Sequence, residues 1–301
     1  MDGIINIYKE QGFTSHDVVA KLRGILQIKK IGHTGTLDPD AEGVLPVCLG
    51  KATKVCGMIT DWSKTYETVM LLGTVTDTLD ASGKILEVNS VNVDALQVME
   101  AVKAFEGEYE QLPPMYSALK VNGKKLYELA RQGIEIERKK RKVNIKSINI
   151  NELNLEDDIK TVTFTVECSK GTYVRSLCDD IGKKIGCGAC MKHLTRTNVG
   201  MFQLQESITL GEVEKLVQSG KIEKYIMPVD EVFKDLKKVA VPEQSGKLVH
   251  NGNKFPEEVV IANEALDYTG MENVRVYDSD DNFIGIYKYK DGIFSPVKMF
   301  I

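Results

Sequence analysis

The chain of 301 residues contains no run of about 18 or more apolar residues, which excludes a membrane-spanning helix. Residues 1–12 lack the basic patch followed by an apolar core that an export signal requires. The 6 cysteines are scattered at positions 48, 56, 168, 178, 187 and 190, too sparsely for a disulfide scaffold. A reducing, cytoplasmic setting is therefore expected, and no membrane association. There is also no overall excess of positive charge, the net being −4. What is present is ordinary for a globular protein, at 43% hydrophobic and 27% charged residues. The length leans towards two domains, because single cores stop growing near about 250–300 residues.

Hydrophobic periodicity outlines an α+β chain. Residues 4–8 read as a strand. Thr14 or Ser15 caps a helix with Val18, Leu22, Ile25 and Leu26 inward. Residues 31–50 fit neither helix nor strand in their first half. Residues 64–73 read as a strand, and Asp94 opens a helix expected to bury Leu96, Met99, Val102 and Phe105. Strict alternation at 143–150 and 162–168 predicts neighbouring antiparallel strands, joined by an acidic loop at 152–158. Val174, Leu177, Ile181 and Ile185 recur at helical spacing, with Gly186 as the stop. Past residue 236 the pattern changes to short strands at 274–277, 283–289 and 294–300, a small β-rich domain carrying 8 basic and 10 acidic residues. The expected division is 1–235 and 236–301.

Local charge is far from even. Residues 119–146 hold 10 Lys/Arg against 3 Glu. They include Lys124, Lys125, Arg131, Arg138, Lys139, Lys140, Arg141 and Lys142. A solvated loop explains the charge alone, but Tyr116 and Tyr127 add stacking faces that favour a nucleic-acid partner.

The segment 32–43 is rich in glycine and carboxylates, yet it fails as a calcium loop, because Leu49 stands where a bidentate Glu is required. Residues 50–52 fail as a phosphate loop. What survives is Asp38, held extended by Pro39. A carboxylate can act as a nucleophile if a nearby cation keeps it ionised against burial, and Arg175, at the start of a helix, is a candidate. An Asx turn and a surface arginine are the plain alternatives. Cys187, Cys190 and His193 offer only three clustered ligands, so no metal is expected.

The ordered blocks carry a resemblance. Gly32-His33-Thr34-Gly35-Thr36-Leu37-Asp38-Pro39, Gly43-Val44-Leu45-Pro46 and Gly50-Lys51-Ala52-Thr53-Lys54 resemble the signature of the TruB family of tRNA pseudouridine synthases. Lys64-Thr65-Tyr66, residues 73–80, residues 111–120, residues 168–175 and residues 194–200 match in the same order. The resemblance implies the pseudouridine synthase fold, with a mixed, largely antiparallel central sheet, flanking helices and a small C-terminal PUA-like β-barrel that binds RNA. It implies isomerisation of uridine-55 in the T loop of tRNA, with the base flipped out of its stack and no cofactor. By position, Asp38 is the nucleophile, Tyr66 stacks on the uracil and accepts a proton, and Arg175 pairs with Asp38. His33 helps hold the extruded nucleotide, while Tyr173 and Leu194 line the base pocket. Lys64 takes a structural or phosphate-facing role, and 119–146 lies at the family's mobile thumb. Attack at C1′, attack at C6 and action after elimination all fit the motif. The T-arm stem-loop is the implied partner, with a monomer expected and no obligate protein partner. A tRNA-binding or folding module without essential catalysis is the alternative, though it does not need Asp38, Tyr66 and Arg175 together.

Overall fold

In the strand Gly3–Lys9 every side chain but that of Tyr8 is buried, so this segment has protein on both faces. It pairs antiparallel with Glu42–Leu49, Ile7 standing opposite Leu45. The computed structural model describes residues 1–121, 123–261 and 273–301. Among these, one ten-stranded sheet organises the first 230 or so residues. Its main path runs Ile226–Met227, Gly3–Lys9, Glu42–Leu49, Ala189–Val199, Lys64–Leu72, Thr161–Cys168, Arg141–Asn154 and Gly107–Gln111. The strand Ile31–His33 joins Glu42–Leu49 at its side, so the first half of the signature segment is more regular than its composition suggests. Every pairing between these strands is antiparallel except one. Thr195 and Arg196 run parallel to Glu42 and Gly43.

Helices cover this sheet as their apolar spacing dictates. Ser15–Leu26 starts at a Thr14–Asp17 capping box and buries Val18, Val19 and Leu22. It shares a core with Leu210–Gln218. Val174–Ile185 buries Val174, Leu177, Cys178 and Ile181, and ends where Gly186 turns left-handed at φ 94°. Cys168, Cys178 and Cys187 belong to the same core, and Cys190 is also fully buried.

Three expectations need correction. The helix Ala95–Lys103, capped by Asp94, buries Val98, Ala101 and Val102, while Leu96 and Met99 are 64% and 46% exposed. The stripe 98-101-102-105 satisfies the 3.6 period as well as the expected one does, and it is the stripe that meets the sheet. The strand expected at 143–150 runs from Arg141 to Asn154, with irregularities after Ile145 and Ile150, which shortens the acidic loop to residues 155–160. Arg141, Lys142 and Lys146 consequently stand on a strand, not in a loop. Before it the basic segment forms a small hairpin, Lys120–Val121 with Lys124–Lys125, and the short helix Leu126–Ala130, followed by residues 131–140 outside any helix or strand.

Beyond residue 236 a separate five-stranded sheet follows the order Lys238–Ala240, Asn273–Tyr277, Phe283–Lys290, Ile293–Met299 and Phe255–Pro256. The expected hairpin is present, its turn closed by backbone N–H groups of Asp280 and Asn282 donating to the Asp278 carboxylate. Phe255, Tyr287 and Phe294 fill its own core. Residues 262–272 of the expected second domain lie outside the described residues.

Candidate active site

The loop that carries Asp38 is fixed from below by buried polar groups. Lys9, fully buried, donates from Nζ to the carbonyls of Ala41 at 2.5 Å, Pro39 at 3.1 Å and Glu10 at 3.2 Å. The Ser15 hydroxyl accepts from the Leu37 N–H at 2.9 Å, and the Gly12 N–H donates to Pro39 O at 2.9 Å. Burial lowers the Lys9 ammonium to about 8, with the Asp38 charge pulling the other way. Asp38 thereby projects from a loop with little freedom to move.

Its partner is Arg175. Nη2 donates to Asp38 Oδ1 at 3.2 Å, while Nε lies 2.9 Å from Oδ2 as a charge contact without hydrogen-bond alignment. The remaining donors reach Tyr116 O at 2.7 Å and Thr78 O at 3.0 Å, and Nη1 lies 3.5 Å from Asp80 Oδ2. Arg175 is buried, so its orientation is set before anything binds. Burial raises the Asp38 carboxyl above its ordinary value; Arg175 opposes that shift and Asp80 adds to it.

Asp38, Tyr66, Tyr173, Arg175 and Leu194 line one cavity of about 330 Å3, together with Lys64, Ser117 and Arg196 among others. Tyr173 is pinned by Gln111, whose amide accepts from the Tyr173 N–H at 2.7 Å and donates to its carbonyl at 3.0 Å. Lys64 points its ammonium at the carbonyls of Thr60 (2.6 Å) and Trp62 (2.7 Å), a structural placement. Burial pushes it down to about 8.

The other sequence candidates lie elsewhere. His33 does not line the cavity; its ring meets His16 edge-on at 5.2 Å and Nδ1 accepts from the Gly35 N–H at 3.3 Å. Burial lowers its pKa, with the His16 ring beside it acting in the same direction. Of the basic segment only Leu119 reaches the cavity wall. Lys124, Arg131, Lys139, Lys140, Arg141 and Lys142 are exposed. Lys125 and Arg131 sit over the Tyr127 ring, and Arg138 is tied to Pro113 O at 2.9 Å.

Two buried cations escaped the sequence reading, Lys9 and Arg196. Strand phase held the signal for both. Lys9 continues the inward series Ile5, Ile7, and Arg196 lies two residues from Leu194 on the same face. Among the described residues no cluster of three His, Cys, Asp or Glu side chains could hold a metal ion.

Comparison with known proteins gives the family. The model of the TruB family pseudouridylate synthase N-terminal domain matches residues 23–174, and that of the tRNA pseudouridylate synthase B C-terminal domain matches 175–234. The chain belongs to the TruB family. A tRNA pseudouridine synthase B of Lachnoclostridium phytofermentans is 52% identical over 307 residues, covering 100% of both chains. The protein of that name from Bacillus subtilis is 41% identical, over 99% of this chain and 97% of its own. Among solved structures, a Cbf5-Nop10-Gar1 complex is 29% identical with a TM-score of 0.70, covering 99% of this TruB-family chain and 85% of the other. An H/ACA RNP bound to a substrate RNA containing 2′-deoxyuridine gives 27% and 0.68, with coverages of 99% and 85%. Among the described residues no helix is long and apolar enough to cross a membrane.

Proposed function

We propose that this TruB-family chain isomerises uridine-55 in the T loop of tRNA to pseudouridine, with Asp38 as the nucleophile. The observation that carries the reading is the Asp38–Arg175 pair at the wall of a cavity also lined by Tyr66, Tyr173 and Leu194. The volume is that of a small-molecule pocket, suited to one base taken out of its stack. Asp38 supplies a carboxylate that Arg175 holds in one orientation. Tyr66 and Leu194 close on the faces of the uracil, and Tyr173 borders it. The N1–C1′ bond breaks, the uracil turns within the closed site, and a C5–C1′ bond forms as the C5 proton leaves and N1 gains one. Atoms are conserved, so the reaction consumes no cofactor.

The remaining assignments belong to the same reading. Residues 1–235 form the catalytic domain and 236–301 a PUA-like RNA-binding domain. His33 assists extrusion of the nucleotide from outside the cavity. The basic residues of 119–146 contact the phosphates of the T-arm. The enzyme works as a monomer in the cytoplasm.

The test is tritium release from a tRNA transcript labelled at C5 of uridine, with no metal or nucleotide added. Release by the wild type, mapped to position 55 and absent for a folded, tRNA-binding Asp38→Asn variant, is expected. Turnover by that variant would overturn the role of Asp38, and wild-type binding without release would leave a binding module.

A further inference from the structure

Arg196 has no assigned part in the reaction, yet it is among the most deeply buried polar side chains of the molecule. It is 1% exposed and lines the cavity that holds Asp38. Nε donates to Val44 O at 2.7 Å and Nη2 to Gly35 O at 3.3 Å, so two of its donors bind the segments on either side of the Asp38 loop. Strand register puts Arg196 directly opposite Tyr66 on the neighbouring antiparallel strand. Directly opposite residues share a face of the sheet. The two side chains line the same cavity, and the Arg196 charge favours the ionised form of the Tyr66 hydroxyl. Burying a guanidinium costs several kcal/mol unless its donors are satisfied and a compensating charge or dipole is close. Among the described residues no carboxylate forms an ion pair with it; its hydrogen-bond acceptors are two carbonyls, and the neighbouring polar group is a phenol. Such an arrangement is poor for stability alone and suited to acting on the phenol.

We propose that Arg196 is the positioning residue for Tyr66: its guanidinium fixes the hydroxyl at the cavity wall and stabilises the phenolate that accepts the C5 proton. This rests on the pseudouridine synthase reading above. In the step concerned the C5–H bond breaks and its proton goes to the Tyr66 oxygen; the electron pair restores the C5–C6 double bond, the displaced C6–N1 π pair moves onto N1, and N1 takes a proton from solvent. Arg196 keeps its own protons throughout.

Electrostatics around the pair are consistent with that division of labour. Burial raises the Tyr66 phenol, the neighbouring Cys168 and Asp38 push it further, and Arg196 opposes them. The charged groups facing Arg196 are Lys9, Lys64 and His33. Both lysines are themselves lowered to about 8 by burial. Arg196 is thus the cation that opposes the effect of burial on Tyr66.

The experiment compares wild type with Arg196→Lys and Arg196→Gln in single-turnover reactions on tRNA containing 5-deuterouridine or ordinary uridine. The expected loss for Arg196→Gln is about 100-fold, the low end for removing acid–base assistance. The deuterium isotope effect should rise above the wild-type value, the tRNA Kd should stay unchanged, and Arg196→Lys should recover part of the rate. A loss of rate with an unaltered isotope effect would overturn the proposal in favour of a scaffolding role. Should Arg196→Gln fail to fold, Arg196→Lys in the wild-type and Tyr66→Phe backgrounds decides: an effect present only with Tyr66 supports the proposal, and equal effects overturn it. Absence of wild-type turnover would instead defeat the underlying functional reading.

Discussion

Asp38 is under opposing demands. The carboxylate must stay charged to act as a nucleophile, but the surroundings that exclude water disfavour the charge, and the net shift is upward despite Arg175. For the rate, this means that the single-turnover constant falls on acidification with a midpoint above the ordinary aspartate value of about 3.9. A profile flat down to that value would contradict the assignment. For stability, the sign runs the other way from an ordinary salt-bridged aspartate. A carboxyl whose pKa is raised in the folded state costs stability above that raised value, and the cost disappears below the unfolded one. Asp38→Asn should therefore melt at or above the wild-type temperature near neutral pH, the gap closing as pH drops through the raised pKa. Thermal melts of the two proteins at several pH values measure it. Arg175 retains Thr78 O, Tyr116 O and Asp80 in the variant, so its burial is not left uncompensated.

At the scale of elements, the site depends on the single parallel register in the large sheet, where Glu42 and Gly43 meet Thr195 and Arg196. Gly43 has φ 104°, and a methyl there would lie 2.3 Å from the Arg196 carbonyl oxygen. Gly43→Ala must push the two strands apart. The expected cost is about 2–3 kcal/mol from backbone strain and overpacking, with a larger proportional loss of activity because Asp38 and Arg196 separate. Wild-type melting and turnover for this variant would show that the register is not needed. Much of this was legible from the chain. Alternation marked the strands around 143–150 and 162–168, and helical spacing with Gly186 marked Val174–Ile185. The order of the motifs named Asp38, Tyr66, Arg175, Tyr173 and Leu194 for one site. What escaped has a common cause. Whether a lysine in a strand is buried depends on what its ammonium finds nearby, and Lys9 finds carbonyls 30 and 32 residues away in the chain. The exposure of Leu96 and Met99 depends likewise on which of two equally periodic stripes meets a neighbour.

For the whole molecule, charge and packing divide between the two sheets. The exposed cations of 119–146 face solvent, whereas the segment 236–301 carries a net −2. Replacing Lys139, Lys140 and Lys142 by Gln should lower the slope of log K against log salt for a T-arm hairpin by about 2–3, one phosphate contact each. The same change at Lys247, Lys254 and Lys288 should leave the slope unaltered. An equal fall for both sets would shift RNA binding towards the C-terminal sheet. That sheet is nevertheless continuous with the core of the other. Phe233 is 6% exposed and packs at 5.8 Å from the Phe300 ring and 6.2 Å from Phe283. The Tyr277 hydroxyl donates to Asp230 Oδ2 at 2.7 Å, and Arg275 donates to the carbonyls of Lys234 and Leu236 at 3.3 and 3.0 Å. Shared burial of this kind makes two sheets unfold together. Removing the Phe233 ring costs about 3–5 kcal/mol by the usual large-to-small penalty, taken from the core cluster in which Ile4 and Val44 of the large sheet meet Ile286 and Phe300 of the C-terminal one. Calorimetry should accordingly show one transition for the wild type and two for Phe233→Ala, the lower one belonging to the C-terminal sheet. Tyr277→Phe, which removes one hydrogen bond and keeps the ring, should lower the melting temperature while retaining a single transition, its cost being about 1 kcal/mol. Two transitions in the wild type would mean that the aromatic contact does not couple the sheets.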